Sequence, residues 1–369
     1  MAGTYRCIAG AAVLSLAAWA TPTPAQQKEA ATRPAFEGPF QKPTAVCDQD
    51  GKPILTRRAV AHPAVADWNA DGRNDILLGC HKNMDTAAAE IRVLLNVGTK
   101  ESPRFRWPTK ELVRLEGQPR GFSVSCGCKS SGTFELHPMD WNGDGRFDLV
   151  VNTYWSTDGV RLLLNGGKSA ERPTFVKDRM LHRIGSHGKG SGGGDWNQDG
   201  VADLVFPVNA YGWAVYPGSK SADGGVKFAD KPAFSSGDFR LVGQDRWFDH
   251  SPYAWNFSGK RPAGAKAVEI VAVMEDPGNA RRKYSEHLCH VNYYLLDRQA
   301  RTCTLRGTLA TNKAAHTRLG IGDLNGDGSM DVLYTGGAFS RGEETQIWVM
   351  YGKAQNVPPA ASAHRKEKE

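Results

Sequence analysis

Asp67-Trp68-Asn69-Ala70-Asp71-Gly72-Arg73-Asn74-Asp75 places carboxylates at its first, fifth and ninth positions, an amide at its third and a glycine at its sixth. The pattern recurs as Asp140-Trp-Asn-Gly-Asp-Gly-Arg-Phe-Asp148, as Asp195-Trp-Asn-Gln-Asp-Gly-Val-Ala-Asp203 and as Asp323-Leu-Asn-Gly-Asp-Gly-Ser-Met-Asp331. Each copy runs into a short apolar segment: ILLG, LVVN, LVFP or VLYT. A degenerate fifth copy, Ala254 to Gly259, lacks the carboxylates and is followed after an insertion by Glu269-Ile270-Val271-Ala272-Val273. A fixed motif returning every 50 to 75 residues is the mark of a repeat architecture.

Between the motifs lie short runs rich in Val, Leu, Ile and aromatics, bounded by Gly, Pro, Asn or Asp. These read as strands joined by turns. About four fit in each repeat, which is the content of a propeller blade. The chain is therefore expected to be all-β, a β-propeller of four-stranded blades, five in number. After the last motif only DVLYTGG and TQIWVMYG remain before a polar tail. The stretch holding Phe36, Phe40 and PILTRRAV precedes the first motif without a blade of its own. Pairing it with the last blade closes the ring and removes two sheet edges.

Flanking segments read differently. Residues 1–25 carry Arg6, an apolar run from Ile8 to Ala20 and small residues suited to cleavage, the pattern of a signal peptide. The propeller is then expected over residues 26–352 and a disordered polar tail over 353–369. This points to a secreted, periplasmic or cell-surface protein. No apolar run reaches the ~20 residues of a membrane span. Cys47, Cys80, Cys126, Cys128, Cys289 and Cys303 follow the leader. Outside the cytoplasm an even count favours disulfides, with pairing undetermined. Free buried thiols and, more weakly, a metal site at Cys126-Gly-Cys128 stay open.

The motif D-W-N-x-D-G-x-x-D-[LIV] resembles the FG-GAP/VCBS repeat of integrin α-chain propellers and of many secreted bacterial proteins. The resemblance spans roughly residues 36 to 352. It implies a calcium loop joining the innermost strand of each blade to the second, with the working surface on the opposite face.

Alternating Asp and Asn in a tight loop also suit calcium on chemical grounds, because Ca²⁺ takes six to eight hard oxygens. The ligand positions are Asp67, Asn69, Asp71 and Asp75; Asp140, Asn142, Asp144 and Asp148; Asp195, Asn197, Asp199 and Asp203; and Asp323, Asn325, Asp327 and Asp331. Position 12 is Leu78, Val151, Phe206 or Tyr334, so these are not EF-hands, which need Glu there. Four Ca²⁺ sites are expected, and none at Ala254 to Gly259. The competing reading is a set of plain Asx turns. Trp68, Trp141, Trp196 and Trp255 are expected to pack between blades.

On the far side of each strand, His62, His137, His187, His250 and His316 fall three to eight residues before a motif. They are candidates for a ligand-binding cluster at the channel mouth, together with Arg341. The bland alternative is a set of strand-end histidines bonded to backbone. The run Arg281-Arg282-Lys283 beside Tyr284 and His287 is either a solvated charge run or an anion-binding arm. Trp155, Tyr211 and Trp213 would extend a polar-aromatic surface suited to sugars.

Three function classes follow. One is a binding module for an acidic polysaccharide or an extracellular protein, and another a structural or adhesion protein. The third is a polysaccharide lyase acting by β-elimination on uronate-containing or sulfated glycans. In a lyase, Arg281 and Arg282 would neutralise the carboxylate, His81 or His287 would take the proton, and Tyr154 or Tyr284 would protonate the leaving oxygen. No P-loop, G-x-S-x-G or H-E-x-x-H motif is present, and secretion argues against nucleic acid.

Charge agrees with an acidic partner. The formal charge is +7, from 46 Lys+Arg and 39 Asp+Glu. Twelve of those acids and two of the cations, Arg73 and Arg146, lie in the four intact motifs, leaving 27 acids against 44 cations elsewhere.

Overall fold

The computed structural model describes residues 38–56, 61–80, 90–106, 134–153, 160–166, 175–182, 191–209, 212–222, 224–258, 267–276, 287–337 and 345–353. Within these the chain is all-β apart from one 3-10 turn at Ser236–Asp238. Among the described residues no helix is long and apolar enough to cross a membrane.

Two short strands, β1 (Thr44–Ala45) and β2 (Leu55–Thr56), precede the first motif. Five antiparallel meanders follow. The first is β3 (Ala61–Ala66), β4 (Asp75–Cys80) and β5 (Glu90–Leu94). The second is β6 (Phe134–Met139), β7 (Asp148–Thr153), β8 (Val160–Asn165) and β9 (Phe175–His182). The third is β10 (Gly192–Gly194), β11 (Asp203–Asn209) and β12 (Gly212–Tyr216). After a hairpin, β13 (Gly218–Lys220) and β14 (Val226–Phe228), comes β15 (Phe234–Ser235), which pairs back on β12. Then β16 (Arg240–Val242) lies parallel to the last strand of the fourth meander, β17 (His250–Trp255), β18 (Ala267–Glu275), β19 (Leu288–Asp297) and β20 (Thr302–Lys313). The fifth is β21 (Ala315–Gly322), β22 (Asp331–Gly337) and β23 (Thr345–Met350).

The N-terminal strands finish the fifth sheet. Thr44 and Ala45 pair with Val349 and Trp348, and Leu55 and Thr56 pair with Gln346 and Thr345. Both sides of β23 therefore have partners, as expected of an edge that would otherwise invite aggregation.

The sheets' apolar segments read as continuous runs because both of their faces are buried. In β4, Ile76 and Leu78 join one core cluster while Leu77 joins another. In β18, Ile270 and Ala272 face one way and Val271 and Val273 the other. In β22, Leu333 points away from Val332 and Tyr334. This is the period-two alternation of a strand with a neighbour on each side. Five clusters result, each filled from two successive meanders, with the fifth meander packed against the first. Burying one such Leu or Ile is worth roughly 1.5–3 kcal/mol.

The first strands of the meanders pack on one another, giving a propeller-like arrangement. β3 lies against β21 and β6, and β17 lies against β10 and β21. β10 and β17 also pair in parallel, through Gly193↔Tyr253 and Gly194↔Ala254. Glycine is required there: a Cβ on Gly192 or Gly194 would collide with the carbonyl of Pro252 or Ala254.

Motif tryptophans fill the gaps between sheets. Trp68 is buried against Phe147 and Phe175 of the second repeat. Trp196 is buried against Trp213 and donates its indole N–H to the Gly193 carbonyl at 3.0 Å. The aromatic-surface role expected of Trp213 does not hold. Its strand turns it inward, where it stacks on Phe248 at 5.7 Å and is 4% exposed.

Disulfides are absent from the three described thiols, Cys47, Cys289 and Cys303, which correct that expectation. Cys289 and Cys303 lie on adjacent strands, but Cys289 faces Asn312 and Cys303 faces Leu296. Their Cβ vectors cannot meet. Burial pushes both thiols up to about 12. Cys126 and Cys128 lie outside the described residues, as do residues 1–37 and 354–369.

Candidate functional site

The motif loops occupy one end of the meanders, each between first and second strand. In the first loop, the Asp67 carboxylate accepts the N–H of Asp71 at 3.1 Å and of Gly72 at 2.9 Å. Gly72 has φ of 83°, the left-handed turn this winding needs. The ninth-position Asp75 is fully buried and bridges two strands. It accepts the N–H of Trp68 at 2.9 Å and of Asn96 at 2.6 Å.

The other intact copies repeat this. Asp148 takes Trp141 and Asn165, Asp203 takes Trp196 and Gly218, and Asp331 takes Leu324 and Gly352. Burial pushes Asp75 and Asp331 up to about 7 and Asp203 to about 6, and it also raises Asp148. Carboxylates at positions 1 and 5 add repulsion in the first, second and fourth loops, and position 5 does so in the third.

These loops fit calcium in donor chemistry: hard oxygens of Asp67, Asn69, Asp71 and Asp75, and their counterparts, with a buried carboxylate whose charge a cation would relieve. They are not drawn tight around a point. Among the described residues, the group of three ionisable donors lying within 4.8 Å of one another is elsewhere, at His250, Glu275 and His316. In two loops a cation already stands on the fifth-position Asp: Arg73 reaches Asp71 at 2.5 Å and Arg146 reaches Asp144 at 2.6 Å.

In the degenerate copy, Glu269 of β18 accepts the Ser258 N–H at 2.7 Å. One carboxylate thus keeps the backbone job of the ninth-position Asp without its acidic neighbours.

At the opposite end, the starts of the first strands carry a buried polar network. His62 accepts the Leu136 N–H on Nδ1 at 3.2 Å. That leaves its proton on Nε2, 3.3 Å from the Tyr253 hydroxyl. The His137 ring lies 6.0 Å from those of both His62 and Tyr253, and its Nε2 meets Ser191 Oγ at 2.8 Å. Glu135 accepts from Asn152 Nδ2 at 2.8 Å and from the Ser191 N–H, and its other oxygen faces Arg318 Nε at 3.6 Å. Glu135 and Arg318 are 0% and 1% exposed, so this ion pair sits in the interior.

Burial sets the charges here. It holds His62 well below its usual range, with His137 and Arg318 adding repulsion, and it lowers His137 to about 4. It raises Glu135 despite the nearby guanidinium, and raises Tyr253. Both imidazoles are therefore neutral near pH 7.

His250 and His316 form a second pair, with ring centroids 6.0 Å apart, and both face Glu275. Arg318 links the two pairs, since its charge depresses both His62 and His250. Four of the five sequence-selected histidines thus fall into two pairs. Three are buried; His316 is 23% exposed at its side chain. His287 is buried at the start of β19. His187, Arg341, His81, Tyr154, Arg281, Arg282 and Tyr284 lie outside the described residues.

Glu135, Ser191, Tyr253, Glu275 and Arg318 were not selected from sequence. Glu135 stands two residues before His137 and Arg318 two after His316, so neighbourhood to the histidines was the available signal.

Two hollows lie between the first strands and the motif loops. One of about 140 Å³ is lined by His137, Tyr253, Gly193 and Ile321. It is below the ~300 Å³ of a typical ligand pocket. The other, about 380 Å³, lies between the first two loops and is lined by Asp67, Asp140, Arg146 and Asn165.

Comparison with known proteins gives distant structural likenesses only. No family model matches the chain, and no curated protein matches it. Among solved structures, a GH43_1 enzyme from Xanthomonas citri complexed with xylose aligns at 14% identity and a TM-score of 0.46, over 80% of this chain and 89% of that one. Its xylotriose complex gives 14% and 0.46, over 80% and 87%. MPT-4, a mannose phosphorylase from Leishmania mexicana in complex with phosphate ion, gives 12% and 0.39, over 88% and 91%. At this identity and these TM-scores the likenesses assign neither activity nor ligand to this chain.

Proposed function

We propose that the chain is an exported, five-bladed FG-GAP/VCBS-type propeller, held together by calcium at four loops, that binds an anionic glycan at the end remote from those loops. The observation that carries the reading is the chemical division of the meanders. Acidic, oxygen-rich loops occupy one end, and histidine, arginine and tyrosine occupy the other.

Calcium has a structural role in this reading. Asp75, Asp148, Asp203 and Asp331 already join two strands through backbone N–H groups. An ion held with their loop partners would neutralise the repelling carboxylates and favour the native state by binding it alone.

The anionic preference rests on the cation surplus outside the motifs. A second reading, a polysaccharide lyase, draws on the Tyr253 hydroxyl beside His62 and on Arg318. That set is buried and already bonded to itself, which weighs against its acting as a catalytic set.

Affinity electrophoresis through alginate, polygalacturonate, a sulfated glycan and a neutral glucan tests both readings. Retardation by acidic gels, weakened by salt, with no unsaturated uronate absorbing in the ultraviolet, is the expected result. Equal mobility in all gels would remove the glycan reading, and growth of the unsaturated product would replace it with the lyase.

A further inference from the structure

We propose that His250, Glu275 and His316 form a three-ligand site for a divalent transition-metal ion of the zinc type, separate from the motif loops. The site does not rest on the glycan reading. Its donors come from three strands. His250 opens β17, Glu275 ends β18 and His316 is the second residue of β21.

The spacing suits the ion. His316 Nδ1 lies 3.1 Å and His250 Nε2 3.5 Å from Glu275 Oε1, and the three donors lie within 4.8 Å of one another. Ligands at ~2.0–2.1 Å in a tetrahedron stand about 3.3 Å apart. Two imidazoles and one carboxylate select zinc-like ions over Ca²⁺, which takes oxygens.

The backbone is bent to bring these groups together. The β17–β18 register shifts between His250 and Tyr253, and the β21–β22 register shifts between Ala315 and Arg318. Such bulges re-aim side chains. His316 also has φ of 51°, an uncommon value for a residue other than glycine. Two irregular strands and one strained residue thus converge on one carboxylate.

That carboxylate is itself held. The His316 N–H donates to Glu275 Oε1 at 3.0 Å, and the Glu275 N–H donates to Asp249 Oδ2 at 2.8 Å. Arg246 bonds both Asp249, at 3.0 Å, and the Glu275 carbonyl. Oε1 therefore faces one amide and two ring nitrogens. It has two lone pairs, so it cannot serve all three as a plain hydrogen-bond acceptor. An ion among the ring nitrogens and the carboxylate resolves the crowding, because each nitrogen then offers its own lone pair.

Nearby charge is mixed: Glu275 and Asp249 attract a cation, while Arg318 and Arg246 oppose it, Arg318 facing Glu135 and Arg246 facing Asp249. Three protein ligands leave a fourth position open, the arrangement of zinc sites that hold water or a substrate oxygen. The partial exposure of His316 gives that position access to solvent.

The test is calorimetric titration of Zn²⁺ into full-length protein, stripped with chelator and kept in excess Ca²⁺. Wild type should bind one Zn²⁺ per chain, and Co²⁺ in its place should give visible d–d bands. His316→Gly removes one ligand and suits the positive φ, so its zinc-free melting should not fall; its Zn²⁺ affinity should drop at least about 100-fold. Asp71→Ala should retain the zinc. No zinc bound by wild type, or unchanged affinity in His316→Gly, would overturn the site. Loss of zinc from Asp71→Ala alone would place the ion in a motif loop and overturn it equally.

Discussion

The loop between β3 and β4 and the turn after β17 hold the same place in their meanders, yet they use carboxylates differently. Asp75 sits with Asp67 and Asp71, is fully buried and takes two backbone N–H groups from two segments. Glu269 reaches the Ser258 N–H from the neighbouring strand, in a copy that has lost all three Asp. The contrast separates two jobs that the motif merges. Tying the first strand's exit to the sheet takes one carboxylate, whereas gathering three creates a charge problem suited to a cation.

Removing calcium should break this contrast most strongly. A site filled at 100 times its Kd contributes about 2.7 kcal/mol. A chelator should therefore lower the melting temperature by many degrees if the four intact loops are filled. An unchanged melting curve would reduce the loops to Asx turns.

Single substitutions sharpen the comparison at smaller scale. Asp75→Ala orphans two N–H groups, at a cost of about 4 kcal/mol in urea unfolding. Glu269→Ala orphans the Ser258 N–H and should cost about 1–2 kcal/mol, by the same amount with or without calcium. Equal losses in the two variants would mean that the jobs are not separable.

A further effect is in pH. Asp75 and Asp331 hold their protons up to about 7 in the metal-free fold, against about 3.8 when unfolded. The native state then binds more protons than the unfolded one, so stability falls as pH rises from about 4 to 7. In chelator the protein should melt at a higher temperature at pH 6 than at pH 8. Saturating calcium should abolish or reverse that slope, because the ion competes with the proton. A slope unaffected by calcium would mean that the ion does not meet these carboxylates.

The motif loops were legible because their chemistry is local: nine residues carry the carboxylates, the turn glycine and the following strand. The use of β1 and β2 to complete the last sheet was legible from a shortage of strands there. The polar network was legible only at its histidines. Glu135, Tyr253, Glu275 and Arg318 come from different meanders, and only the packing of first strands joins them. Trp213 misled because aromatic content does not say which face of a strand a residue takes. The cysteines misled for a related reason, since adjacent strands place two thiols together only when their register agrees.

The pairing of Thr44 with Val349 has a consequence in time. Nearly the whole described chain lies between those partners, so the last sheet cannot be completed until the chain has been made as far as Val349. Closing so long a span carries an entropic cost before any contact repays it. Until β1 and β2 pair with it, that side of β23 is an open template for other chains. This seam is where slow maturation and chaperone dependence should concentrate, and where thermal unfolding should begin.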